Sequence, residues 1–326
     1  MYPAPSFNIA VMTALISFGI SIVLGPIAIP ILRRLKFGQN VRSDGPKTHL
    51  KKAGVPSMGG IVIIAAVAIA SAIFSGFDLQ WQLVMFLMLS FGFIGFLDDY
   101  IKIVKKRSLG LRAWQKFSLQ AVASLFFVIL LHVNDISTIV YIPFTQGFYV
   151  DLSWFAPVFT MIVAMGTANG ANYTDGCDGL ASGVTLLISL FFLYAAFALE
   201  STMVYTLAAA AGALLGFLLF NSYPARVFMG DTGSLALGGL VAGCAIILQM
   251  PLFIVIVGFV YLAEVLSSVI QVLYFKKTGG KRFFKMAPLH HHFEEMGWPE
   301  SKVVAVFYIA TAILCLIGFL SISGMF

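Results

Sequence analysis

The chain has 326 residues, of which 60% are hydrophobic and only 10% charged, with a formal net charge of +6. Soluble domains carry about a quarter charged residues, so an ordinary soluble domain is excluded. A membrane helix needs roughly 20 apolar residues. In chain order, candidate spans fall near 7–32, 57–77, 81–97, 117–133, 155–170, 180–199, 203–220, 234–250, 251–275 and 303–322, the last two-span stretch before the C-terminal span being split only at Gln249-Met250-Pro251. Ten spans use most of the chain and leave no room for a soluble domain. Helices satisfy their own backbone groups in lipid, so the expected fold is an all-α, polytopic integral membrane bundle of about ten transmembrane helices. Residues 1–326 read as one membrane domain, with its active site formed by cytoplasmic loops.

The loops alternate in charge. One set holds all 20 Lys and Arg residues, from Arg33-Arg34 through Lys102, Lys116 and Arg226 to Lys302, whereas the other holds only Asp78, Asp135, Asp151 and Glu200. The positive-inside rule makes the first set cytoplasmic and places both termini outside. A basic membrane face attracts anionic headgroups and anionic substrates, although many of these cations need do no more than fix topology. No nucleic-acid partner is expected. The first span lacks the features of a cleavable signal peptide: no basic residue precedes it, and Arg33-Arg34 follows. Cys177, Cys244 and Cys315 are scattered and form neither a disulfide framework nor a thiolate metal site.

Five aspartates lie on the basic face, each beside an apolar run. Asp98 and Asp99 close the 81–97 span, where the helix macrodipole disfavours negative charge. They read either as a solvated loop start or as a cation site or general base. Two carboxylates plus phosphate oxygens suit Mg²⁺, which keeps several of its waters. Asn169, Asn172, Asp175 and Asp178 recur every three residues between glycines, which predicts a tight turn with its polar groups along one edge rather than a regular helix. An Asx-rich connecting turn is the plainer alternative. Asp231 precedes a span in Gly230-Asp231-Thr232-Gly233-Ser234. Those residues suit an N-cap, or an anion cradle to which Asp231 brings Mg²⁺. Phe228 is a candidate stacking platform for a base or an interfacial anchor. Three consecutive histidines, His290-His291-His292, cannot face one metal from a regular helix. Histidines donating to phosphate or sugar oxygens fit better. Glu264 lies deep in a span, where a carboxylate is a functional candidate by default, and Gln271 is two turns along the same face.

Together these stretches resemble a known family. DGPKTHLKKAGVPSMGG (44–60), FLDDYIK (96–102), NGANYTDGCDGL (169–180), NSYPARVFMGDTGS (221–234) and MAPLHHHFE (286–294) are similar, in family order, to the phospho-N-acetylmuramoyl-pentapeptide-transferases, the bacterial lipid I synthases. The DD, NxxDGxDG and GDTGS stretches are shared with the wider superfamily of polyprenyl-phosphate sugar-1-phosphate transferases; PLHHHFE points to the muramoyl-pentapeptide branch. Val55 and Ser57 stand where the family often has threonine. The resemblance implies attack of undecaprenyl phosphate on the β-phosphate of UDP-N-acetylmuramoyl-pentapeptide, with Mg²⁺ required and UMP released, at the cytoplasmic face of a bacterial cytoplasmic membrane and in a homodimer. It implies Asp231 as the metal ligand, Asp98 as base or orienting group, and Asp99 in support. It implies Lys52, Asn172, Asp175, Asp178, Asn221 and Phe228 around the nucleotide, His290, His291 and Gln271 around phosphates and sugar, and Lys116 and Gln120 in the cleft. A sister enzyme moving N-acetylglucosamine-1-phosphate would keep the aspartates and differ around 286–295. A secondary transporter would place its polar groups near the bilayer midplane, which this chain does only at Glu264.

Overall fold

A computed structural model describes residues 5–35, 54–105, 109–322 and 324. Lys52, expected at the nucleotide, lies outside the described residues. The fold is helical: α1 (Phe7–Arg34), α2 (Gly60–Ser75), α3 (Leu79–Val104), α4 (Ala113–Val133), α5 (Ala156–Thr174), α6 (Leu180–Ala198), α7 (Met203–Asn221), α8 (Gly230–Ile247), α9 (Ile254–Val257), α10 (Phe259–Lys277), α11 (Leu289–Glu295) and α12 (Glu300–Ile322). Every expected span falls on helix. Among the described residues eight helices are long and apolar enough to cross a membrane: α1, α3, α4, α6, α7, α8, α10 and α12; α2 is apolar but shorter, at 16 residues. An antiparallel hairpin, β1 (Ile139–Tyr141) with β2 (Tyr149–Asp151), joins α4 to α5.

Helices α7 and α8 are buried along most of their length, packed by α1, α2, α3, α5 and α6, whereas α1, α4, α10 and α12 carry large exposed apolar side chains. Lipid supplies no hydrophobic force between helices, so close backbone approach at small residues holds such bundles together. Gly60 of α2 faces Gly233 of α8 so closely that a Cβ on Gly60 would lie 2.2 Å from the Gly233 Cα. A Cβ on Gly95 of α3 would lie 2.0 Å from the Asp231 carbonyl oxygen. Gly95 therefore sets the distance at which α3 meets the first turn of α8. Gly95→Ala should cost at least about 1–3 kcal/mol by overpacking. Thermal unfolding in detergent reads this directly, and an unchanged midpoint would refute the close-packing argument.

Three expectations about local structure need correction. Helix α3 does not end at residue 97 but runs to Val104, so Asp98 and Asp99 are helical and buried rather than at a solvated loop start. Helix α5 continues through Asn169, Gly170 and Asn172 to Thr174, so the tight turn expected over 169–179 is confined to 175–179, with Gly179 left-handed at φ +81°. Its glycine serves packing instead: a Cβ on Gly170 would lie 2.8 Å from the Tyr261 Cβ of α10. The apolar run 251–275 is not one rod. A 3₁₀ turn at Pro251–Phe253 and the short α9 precede a break at Gly258, after which α10 begins.

Candidate active site

The site is built around the N-terminus of α8. The first turn of any helix carries N–H groups without intrahelical partners. Here Asp99 of α3 supplies the cap from a different helix: its Oδ2 accepts from the Thr232 N–H at 3.0 Å and from the Thr232 hydroxyl at 2.8 Å. Asp98, adjacent on α3, accepts from the Leu111 N–H through Oδ1 at 2.8 Å. Asp231, in the first turn of α8, completes the group. Ligand oxygens from Asp98, Asp99 and Asp231 all lie within 4.8 Å of one another.

Three carboxylates at that spacing repel strongly unless cations stand between them. Two lysines do. Lys102 Nζ lies 2.7 Å from Asp98 Oδ2, 3.5 Å from Asp99 Oδ1 and 3.0 Å from Asp231 Oδ2. The geometry follows from the extension of α3: positions three and four residues apart share a helix face. Lys116, from the first turns of α4, lies 2.8 Å from Asp231 Oδ2. Asn172 of α5 donates to Asp231 Oδ1 at 2.9 Å and to the Ser234 hydroxyl at 2.8 Å, while its own Oδ1 accepts from Lys116 at 3.2 Å. Gln120, one turn beyond Lys116, is buried and accepts from Asn169 Nδ2 at 2.7 Å. Four helices thus converge on Asp231. Oxygen donors in this number are the donor set of hard divalent cations.

A second polar group lies against the turn that follows α5. His290 of α11 is buried, with Nδ1 in hydrogen-bond contact at 3.0 Å with Glu264 Oε2 of α10. Its Nε2 presses on Gly176, where a Cβ would lie 1.9 Å away. The three histidines diverge as a helix requires: His291 Nδ1 meets Glu294 Oε2 at 2.8 Å, and His292 Nδ1 accepts from the Lys285 N–H at 3.1 Å. Gly176→Ala should displace His290 from Glu264 and lower turnover more than it lowers stability. A steady-state rate and a melting midpoint on one preparation separate the two; wild-type turnover would count against His290 as part of the site.

Other expected residues are spent on holding loops. Asn221 is buried, accepts from the Ser182 hydroxyl at 2.7 Å and donates to the Val227 carbonyl at 3.0 Å. Asp178 Oδ2 accepts from the Ala225 N–H at 2.9 Å. Gln271 is tied to the loop before α11, its Oε1 accepting from the Phe283 and Phe284 N–H groups at 3.1 and 2.9 Å. Phe228 is half-buried rather than exposed, and its backbone pairs with the segment before α2: its N–H donates to Pro56 O and its carbonyl accepts from Gly59 N–H. Asp175 is half-exposed at the C-terminal end of α5, between Asn172 and Gly176.

Sequence alone gives Lys102 no site role, and does not pair Asp99 with Thr232, Asn172 with Ser234, or Asp178 with Glu300, whose Oε1 accepts from the Asp178 N–H at 2.6 Å. The spacing of Lys102 from Asp98 and Asp99 was a usable signal once α3 is continued past residue 97. Glu300 carried none, being 122 residues from its partner.

An apolar helix bundle with a carboxylate–lysine cluster at one end has the construction of a membrane-embedded transferase, and residues 81–249 match the family described as Glycosyl transferase family 4. Similarity extends over nearly the whole chain. A phospho-N-acetylmuramoyl-pentapeptide-transferase of Acetivibrio thermocellus is 50% identical over 98% of each chain. Those of Clostridium botulinum (strain Eklund 17B / Type B), 49% identical over 97% of each chain, and Clostridioides difficile (strain 630), 50% identical over 95% of this chain and 97% of the other, are similar to the same degree. The chain belongs to the phospho-N-acetylmuramoyl-pentapeptide-transferase family and is an integral membrane protein.

Proposed function

We propose that the chain transfers phospho-N-acetylmuramoyl-pentapeptide from UDP-N-acetylmuramoyl-pentapeptide to undecaprenyl phosphate, making lipid I and UMP for peptidoglycan synthesis. The observation that carries the reading is the convergence of Asp98, Asp99, Asp231, Lys102 and Lys116 at one end of an apolar bundle in a chain 50% identical to such a transferase over nearly its full length. A polyprenyl acceptor keeps its tail in the bilayer, so its phosphate arrives at the membrane edge. By the positive-inside rule that edge is cytoplasmic and both termini face outward; the bacterial relatives support the bacterial cytoplasmic membrane as its place. Ten spans, the broken α9–α10 counted as one, and a homodimer complete the proposed architecture.

The chemistry joins two anions. An oxygen of the acceptor phosphate attacks the β-phosphorus of the donor; the bond from that phosphorus to the bridging oxygen breaks, and UMP leaves. Positioning and charge stabilisation dominate such transfers. Asp231, with Asp98 and Asp99, would hold Mg²⁺, for which the oxygen-only donor set and a cation already seated among the carboxylates are fitting. Bound there, the ion supplies Lewis-acid neutralisation of the phosphate oxygens. Lys102 and Lys116 add positive charge beside the same position. An acceptor monoester has a second pKa near ~6 and is mostly ionised at neutral pH. The role of Asp98 is therefore to orient the acceptor more than to remove a proton.

Phe228 stacks on uracil in this reading. Lys52, Asp175, Asn172, Asp178 and Asn221 shape the nucleotide pocket, the last two by holding the loop that carries Phe228. His290, His291, Gln271 and Gln120 border phosphates and sugar. Phe228→Ala should raise KM for the UDP donor about tenfold, the loss of one stacking contact, and leave KM for the lipid unchanged. An equal effect on both substrates would reject stacking. The reaction itself is tested by UMP release in detergent with both substrates, before and after chelation. A folded preparation that releases none, or is indifferent to chelator, overturns the proposal or its metal.

A further inference from the structure

Among the described residues one ammonium group touches all three carboxylates. Lys102 Nζ sits 2.7, 3.5 and 3.0 Å from oxygens of Asp98, Asp99 and Asp231. Lys116 meets only Asp231 of the three and takes its other contact from Asn172. A Mg²⁺ ion needs carboxylate oxygens at about 2.0–2.1 Å together with several waters. An ammonium within hydrogen-bond distance of every carboxylate stands where such an ion and its waters must go. The two cannot share the position.

The two lysines also differ in their freedom to leave. The side chain of Lys102 is 32% exposed, near the end of α3, against 17% for Lys116 in its asparagine-lined setting. Lysine is a point charge on a flexible four-carbon stem. Lys102 can turn toward water while α3 stays in place, because Asp99 remains anchored to Thr232 and Asp98 to the Leu111 N–H.

We propose that Lys102 is a displaceable counterion. It fills the cation position while no metal is bound and swings out when a divalent ion enters. Its charge then meets the phosphate oxygens of the arriving donor. This rests on the reading that the three aspartates hold a divalent cation. One consequence is self-competition: metal binds weakly to the substrate-free protein. Another is coupling. A diphosphate gives the displaced ammonium a new anionic partner, so donor and metal each tighten the binding of the other, by the same factor.

Mn²⁺, whose free and bound forms differ in electron paramagnetic resonance, is the probe. Titrations use the full-length protein in detergent without substrate: wild type, Lys102→Met, Lys102→Arg and Asp231→Asn. Lys102→Met should bind Mn²⁺ about tenfold tighter than wild type, since a competing charge is gone, and Lys102→Arg should stay within about twofold. Damage to the fold would weaken binding, so tightening is specific to the proposed role; Lys102→Gln replaces the methionine variant if that fails to fold. Equal or weaker binding by the uncharged variant, while wild type binds and Asp231→Asn does not, overturns the counterion role and leaves the metal site standing. Absence of Mn²⁺ binding from wild type and uncharged variant alike overturns the metal reading, and this inference with it.

Discussion

Asp231→Asn should reduce turnover about a thousandfold or more at every Mg²⁺ concentration. The amide keeps the volume of the carboxylate and one acceptor oxygen, so the contact with Asn172 can persist and the bundle should still fold. What is lost is charge. Lys102 and Lys116 both converge on Asp231 Oδ2, at 3.0 and 2.8 Å. Without that charge the cluster can neither organise its lysines nor hold a divalent ion beside Asp98 and Asp99. Initial-rate UMP release across a Mg²⁺ titration gives the answer. Recovery toward the wild-type rate at high Mg²⁺ would mean that Asp231 tunes affinity only; near-normal activity throughout would remove it from the metal site.

Replacing Glu264 with leucine should be strongly destabilising. Glu264 and His290 are both buried and are each other's polar partner. Leucine leaves His290 Nδ1 buried without that partner, which costs about 1–3 kcal/mol. Glu264→Gln still offers His290 an amide oxygen and should cost less than about 1.5 kcal/mol, the scale of a single hydrogen bond. Its turnover should fall far less than that of Asp231→Asn. Melting midpoints and rates of both variants test this together. A glutamine variant that folds normally and is inactive would move Glu264 from supporting His290 into the chemistry.

Much of this was legible in the sequence because membrane proteins advertise their spans. Each expected span overlaps helix, although 251–275 is broken at Gly258, and Lys102 and Lys116 stand where the aspartates meet. The acidic motifs were legible too, being dense in Asp, Asn and Gly beside apolar segments. Helix boundaries were not. The sequence reading stopped α3 where charge begins, yet Asp98, Asp99 and Lys102 are helical because each finds a partner on α8 or on its own next turn. In the same way the glycines of 169–179 all read as turn residues, whereas Gly170 lies in regular α5 helix against Tyr261; Gly176 and Gly179 do lie in the turn before α6, where Gly176 also makes room for His290. Glycine at a close helix contact and glycine in a turn leave the same letter. Partnerships across the chain, such as Glu264 with His290 or Glu300 with Asp178, have no local signature and needed the fold.

The most direct test of the central claim is transfer to undecaprenyl phosphate in detergent, comparing UDP-N-acetylmuramoyl-pentapeptide with UDP-N-acetylglucosamine, each with Mg²⁺ and with chelator. Mg²⁺-dependent UMP release from the pentapeptide donor and none from the smaller one is the expected result. Release from UDP-N-acetylglucosamine alone, or from neither donor in a well-folded sample, would contradict it.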